Sequence, residues 1–375
     1  MGTALTIEES KALLALCRAG KLYGIERWIS AGKSIVTDPS LRKTALLTAV
    51  ETGFHSLVEL LAQHEPRQEQ KDRALADAVG RKRLDTVEVL VEHGARIESV
   101  PFDDVLLTWE RPIMRFFLDH GADAVKGKPF AMAFQAKVQN ALRIFVDYKA
   151  AHPDLANALQ PQADRALRHF AAKGDLKWVS LMMWAGADPR SVGPDLDDRY
   201  ADDPECHTTA FREACSSGKL DVLKRLKPDS ARDNISELLN WAAISDSKEM
   251  IDYLLHLGAH PNDKQGGGSS ALDRCLWDLP WGDRSAFLSK ALASKWALRD
   301  GLDRIERLLQ AGALWRPDTS GVNSVRQMLL KCEPDVTVAL MKLFAKHKSA
   351  PAETLERLLD TPRMRGHLSR AGMRL

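Results

Sequence analysis

The residues whose types could do chemistry crowd into segment 189–207, PRSVGPDLDDRYADDPECH. Asp195, Asp197, Asp198, Asp202, Asp203 and Glu205 lie there, with Arg199 and Tyr200 among them. Oxygen ligands suit calcium or magnesium, but the spacing and glycine of an EF-hand loop are missing. Cys206-His207 has no second Cys or His at zinc-ligand spacing. No metal site is expected. The same acids suit docking to a basic partner surface, because clustered like charge speeds encounter. A solvated loop without a partner accounts for them equally well.

Other catalytic chemistry finds little to work with. There is no Gly-x-Ser-x-Gly, no glycine-rich phosphate loop and no His-Glu-x-x-His. Gly266-Gly267-Gly268-Ser269-Ser270 reads as a flexible turn before a helix. No catalytic residue, no cofactor and no enzymatic activity are expected. Cys17, Cys206, Cys215, Cys275 and Cys332 are few, odd in number and scattered, which fits a reducing compartment. Cys17 and Cys215 take positions for small buried residues.

Bulk properties narrow the partners. Lys and Arg total 53, Asp and Glu 51, for a formal charge of +2. That balance gives no reason to expect nucleic acid or an anionic membrane. Apolar runs are too short for a transmembrane helix. The first residues are acidic where a signal peptide would be basic, so a cytoplasmic location is expected.

The elements that must position these residues are legible in one stretch, 166–188, ALRHFAAKGDLKWVSLMMWAGAD. A small Ala-rich helix stops at Gly174. A second helix carries Trp178, Val179, Leu181 and Met182 at helical spacing. Gly186-Ala187-Asp188 then caps it. The cap recurs at Gly94-Ala95, Gly121-Ala122, Gly258-Ala259 and Gly312-Ala313, with weaker versions at Gly32, His64 and Lys149-Ala150. Most intervals run roughly 27–37 residues, the range of helical repeats. At 375 residues the chain is long for one core, and an array of repeats answers that.

These units resemble ankyrin repeats. Thr44-Ala45-Leu46-Leu47-Thr48-Ala49-Val50-Glu51-Thr52-Gly53 matches the first half of the family's pattern. Asp85-Thr86-Val87-Glu88-Val89-Leu90-Val91-Glu92-His93-Gly94-Ala95 matches the second half, as does the run from Met250 to Ala259. No unit keeps an intact Thr-Pro-Leu-His; Val100-Pro101-Phe102-Asp103 and Ser270-Ala271-Leu272-Asp273 stand in its place. The resemblance implies an all-α helical repeat solenoid with short hairpin loops, first helices on a concave face and second helices on a convex one. It implies an array over residues 1–350 in about ten units, interrupted near 152–162, 189–207 and 278–300. Within the last interruption, 285–298 reads as a helix of its own. Residues 351–375 then form a capping helix and a basic tail.

Partner contacts in that family come from hairpin tips and the residues just before the first glycine turn. By alignment these are Arg18, Glu51, Thr52, Arg81, Gln135, Lys173, Ser216 and Ser217. They are chemically mixed. Trp28 and Trp178 occupy apolar slots and are expected in the core, whereas Trp277, Trp281 and Trp296 suit either an interface or the docking of an inserted helix. His64, His93 and His120 fall at successive second-helix ends, where a cation is mildly favourable. The sequence therefore implies a non-catalytic protein-binding adaptor or scaffold, monomeric by itself, using the concave face and the acidic segment. The alternative is a dedicated inhibitor, such as an immunity protein that blocks a toxin or enzyme.

Overall fold

The computed structural model describes residues 4–194, 207–245, 247–264, 269–278, 295–315 and 334–349. They divide into two compact units, one built from residues 1–166 with 184–187, the other from 167–183 with 188–375. The fold is all-α; among the described residues the extended backbone pairs once, in an isolated bridge between Gly193 and Thr208. No described helix is long and apolar enough to cross a membrane.

The first unit is built from helix pairs: α1 (Ile7–Arg18) and α2 (Leu22–Ser30), α3 (Ala45–Thr52) and α4 (His55–His64), α5 (Gln68–Gly80) and α6 (Leu84–Glu92), α7 (Phe102–Leu106) and α8 (Arg111–Asp119), α9 (Pro129–Gln135) and α10 (Gln139–Ala151). First helices pack on first helices, α1 on α3 on α5 and α7 on α9. Second helices pack likewise, α2 on α4 on α6 on α8 on α10. Each helix is too short to hold itself in water, so burial of one stripe between neighbours supplies its stability. The stripe is visible at Leu57, Val58, Leu61 and Ala62 of α4 and at Val87, Val89 and Leu90 of α6. Phe130 anchors the later pairs, its ring 5.7 Å from Phe102 and 5.2 Å from Phe145.

Two turns per repeat do the rest. After the second helix, Gly94, Gly121, Gly258 and Gly312 take φ of 91°, 86°, 96° and 89°. In each case the next residue's N–H reaches back across the helix end, as from Ala95 to Leu90 O at 2.8 Å. This is a Schellman cap, and its apolar contact explains the alanine: Ala95, Ala122, Ala259 and Ala313 are all buried. The turn between first and second helices has the same geometry. Gly20, Gly53, Gly174 and Gly218 hold its left-handed position, but Lys82, Trp109 and Lys137 hold it in their own repeats, at φ 61°, 67° and 62°.

Helices α11 (Ala156–Lys173) and α12 (Leu176–Trp184) come next, each contributing residues to both units. In the second unit Phe170 stacks on Trp178 at 5.1 Å. The pairs that follow are α13 (Ala210–Ser216) with α14 (Leu220–Leu226), α15 (Ile235–Ala242) with α16 (Lys248–His256), and α17 (Ala271–Asp278) with α18 (Lys295–Gln310); α18 also packs on α19 (Pro334–His347). Here α13 lies on α15 and α15 on α17. Trp315 stacks on Phe344 at 5.2 Å and is buried.

Several expectations are revised. The connection at 152–162 is helical: a 3-10 turn, Pro153–Leu155, leads directly into α11, with Pro161 inside it. A proline costs a helix one backbone bond. Here the flanking Gln160 and Gln162 tie the same turn down through side-chain bonds to Gly186 O and Ala124 O, both at 2.8 Å. Helix α10 runs through Lys149-Ala150 to Ala151, so that pair is no cap. Trp28 is half-buried: its Nε1 donates to Ser34 O at 2.9 Å and Lys33 covers its ring, which keeps the edge at the surface. Helix α18 begins at Lys295, inside the interruption expected near 278–300; of the expected helix at 285–298, residues 285–294 lie outside the described residues, as do Trp281 and 351–375. The buried positions of Cys17, Cys215 and Trp178 agree with expectation.

Candidate partner-binding surface

The ends of the first helices carry the side chains picked out by alignment. Arg18 closes α1, Gln135 closes α9, Lys173 closes α11 and Ser216 closes α13; Glu51 is the penultimate residue of α3, and Arg81 caps α5. Stacking of α1, α3 and α5 brings Arg18, Glu51 and Arg81 to one register. Arg18 and Lys173 are exposed, and Gln135 and Ser216 half-buried. Glu51 and Arg81 meet at 3.7 Å across the α3–α5 step. Lys43 completes the group, 2.6 Å from Glu51, and Asp77 sits 2.7 Å from Arg81. Salt-bridged side chains this exposed contribute little to stability, so they are available to exchange partners. In the second unit, Ser216 and Ser217 line a depression of about 380 Å³ with Ile244, Ser245 and Ser247.

Asp195, Asp197, Asp198, Tyr200, Asp202, Asp203 and Glu205 lie outside the described residues. The ends of their segment are well held. Gly193 and Thr208 exchange both backbone hydrogen bonds, at 3.1 and 2.8 Å. Buried Arg168 donates to Ser191 O at 3.2 Å. A Cβ at Gly193 would stand 2.4 Å from the Arg168 guanidinium, so close approach explains that glycine. Arg190 grips the buried Asp233 through two bonds, 2.7 and 2.9 Å. Arg212 Nη1 donates to His207 O at 3.3 Å.

Near its start the first helix is tied to the hairpin that follows its repeat. In α5, Asp72 accepts from Arg96 N at 2.9 Å and Gln68 Nε2 at 2.8 Å, and from the Arg96 guanidinium at 2.6 Å. Ser10 Oγ accepts from Asp38 N and Ser236 Oγ from His260 N, each at 2.9 Å. Different residues thus tie the first helix to the hairpin that follows its repeat. Burial raises the pKa of the Asp72 carboxyl, but the hydrogen bonds from Arg96 and Gln68 outweigh it and hold it below the usual range.

Histidines add a further link at second-helix ends, with a glycine cap at His120 and without one at His64. His64 Nδ1 meets Leu60 O at 2.9 Å and His120 Nδ1 meets Phe116 O at 2.7 Å. His152, overlooked in the sequence, does the same with Tyr148 O at 3.0 Å.

Two further concavities among the described residues use polar side chains to hold backbone. One is lined by His260, Asn262, Lys264, Ser270, Asp273 and Leu314. Asn262 bonds Gly312 O and Leu314 N, and Ser270 and Asp273 cap α17. In the other, lined by Phe102, Asp123 and Pro129, Asp123 accepts from Val125 N and Lys126 N. Among the described residues no three His, Cys, Asp or Glu side chains gather as metal ligands.

Residues 13–100 match the family model for ankyrin repeats in three copies. These residues are ankyrin repeats. No curated protein matches the chain. Among solved structures, the ankyrin repeat domain of Bcl-3, a unique member of the IkappaB protein family, is similar at 16% identity and a TM-score of 0.32, over 70% of this chain and 92% of that one. The human ASB11 ankyrin repeat domain is similar at 15% identity and a TM-score of 0.25, over 70% and 90%. Ankyrin repeats are generally protein–protein interaction modules. The left-handed turns, Gly-Ala caps and stacked helix pairs continue that pattern beyond residue 100.

Proposed function

We propose that this protein is a non-catalytic module that holds a partner protein along the first-helix ends and the acidic segment. The observation that carries the reading is the common register of Arg18, Glu51 and Arg81 at the ends of the stacked first helices α1, α3 and α5. A row of mixed side chains, exposed at Arg18 and Arg81 and half-buried at Glu51, on a rigid stack suits recognition of an extended surface. Asn262, Ser270, Asp273 and Asp123, which line two of the concavities, each hold backbone, which supports a binding role over catalysis.

The acidic segment, read from sequence, adds a charged contact for a basic partner surface. Its pinned ends favour a dedicated inhibitor over a loose adaptor, because a pre-organised attachment loses less entropy on binding. The test is capture of partners from the native cell with the tagged full-length chain, at low and moderate salt. One stoichiometric partner, weakened by salt and lost when Asp197, Asp198, Asp202 and Asp203 are changed to Lys, is expected of an inhibitor. Many weak partners would favour an adaptor. Recovery of no protein at either salt overturns the module reading.

A further inference from the structure

Second-unit helices α13, α15 and α17 bring Arg212, Trp241 and Arg274 together. Trp241 of α15 has the Arg212 guanidinium 5.9 Å from its ring centroid and the Arg274 guanidinium 4.8 Å from it. Two arginines on one indole bring two positive charges together. Against them stands Glu237, paired with Arg212. Arg274 is left over. It is half-buried, and its guanidinium makes no hydrogen bond or ion pair with any described residue. Its environment also disfavours its charge: burial lowers its pKa, and Glu237 only partly offsets this. Beside it, the Trp241 N–H is shut away from water and meets no acceptor among the described residues.

A guanidinium stripped of half its water and given no acceptor is an unusual thing to keep on a protein surface. Arginine's fork of donors matches a carboxylate through two parallel bonds. Partial burial strengthens that attraction relative to open water. The ring beneath holds the fork in place by cation–π contact, so little side-chain entropy remains to be lost.

We propose that Arg274, steadied by Trp241 and flanked by Arg212, is a receptor site for a carboxylate side chain of an acidic segment on the partner. This rests on the reading of the chain as a protein-binding module, and it adds the chemistry of one contact. The acidic segment at 189–207 would meet a basic patch, so the partner carries both signs.

The test uses the full-length chain and a fluorescent hexaglutamate peptide, titrated at low ionic strength with hexalysine as a control. Saturable hexaglutamate binding is expected, without hexalysine binding. Arg274→Gln should weaken it about tenfold, near 1.4 kcal/mol, and Arg274→Lys should recover part of the loss. Arg143→Gln, at an exposed arginine of α10, should leave it unchanged. The indole N–H signal of Trp241, assigned through Trp241→Phe, should shift during the titration. Absence of saturable binding, equal binding by Arg274→Gln, equal losses in Arg274→Gln and Arg143→Gln, or an unmoved Trp241 signal would each overturn the proposal. Because the peptide reads this site alone, such a failure is distinct from failure to capture a partner, which would overturn the module itself.

Discussion

Replacing Asp72 by Ala tests what joins one repeat to the next. Asp72 takes the Arg96 backbone N–H, the Gln68 amide and the Arg96 guanidinium. A hydrogen bond to a charged group contributes about 1.5–3 kcal/mol. The Arg96 side chain is 58% exposed, so the ion pair itself adds little. Most of the effect should therefore lie in the backbone bond. Asp72→Ala is expected to cost about 2–3 kcal/mol and Arg96→Gln much less. Asp72→Ser should recover about half the loss, since Ser10 and Ser236 hold the corresponding amides elsewhere. Native-state hydrogen exchange on the full-length chain is the assay, because repeat arrays need not unfold in one step. The Ala95 N–H, bonded to Leu90 O, reports locally. An Arg96→Gln cost equal to that of Asp72→Ala would refute the reasoning, as would a Ser variant no better than Ala. The pH dependence follows from the depressed carboxyl. The unfolded group titrates near about 3.9. Its stabilisation is complete above that and is lost as pH falls through the folded value. The gap between wild type and Asp72→Ala should shrink only below about pH 3.9.

Lys82→Gly and Lys137→Gly each relieve a left-handed residue and should raise stability by about 0.5–1 kcal/mol; a lower denaturation midpoint in both would contradict the turn assignment. Cys17 and Cys215 should stay unmodified by a thiol reagent near about pH 8 until urea is added, as read by peptide mass. Burial pushes the Cys17 thiol up to about 12 and the Cys215 thiol higher still, so the reactive thiolate is absent in the folded protein, and labelling of either in native buffer would refute it.

The second helices and their caps were legible because they depend on residue type. Only glycine takes a φ near 90° cheaply, and only a small apolar residue fits after it, so Gly-Ala marks the site. The first helices were harder to read. No unit keeps the Thr-Pro-Leu-His signature, and Asp72, Ser10 and Ser236, outside that motif, tie their helices to the following hairpins with different chemistry. A signal did exist, since each acceptor at 72 and 236 lies 24 residues before the amide it holds. The helix at 156–173 was hidden because Pro161 reads as a breaker until the bonds of Gln160 and Gln162 are known. Arg274 gave no signal: its position matters only through the indole on a neighbouring helix, and that proximity is set by repeat stacking.

The Gly193–Thr208 bridge has a consequence for how this protein can change. Two strands that exchange both hydrogen bonds hold their chain ends roughly 5.5 Å apart. Whatever is spliced between such ends is thermodynamically cheap, since doubling a loop's length costs only about 0.6 kcal/mol. The bridge is a socket. New recognition sequences can be installed there by evolution or by grafting, while the repeats on which they sit stay as they are.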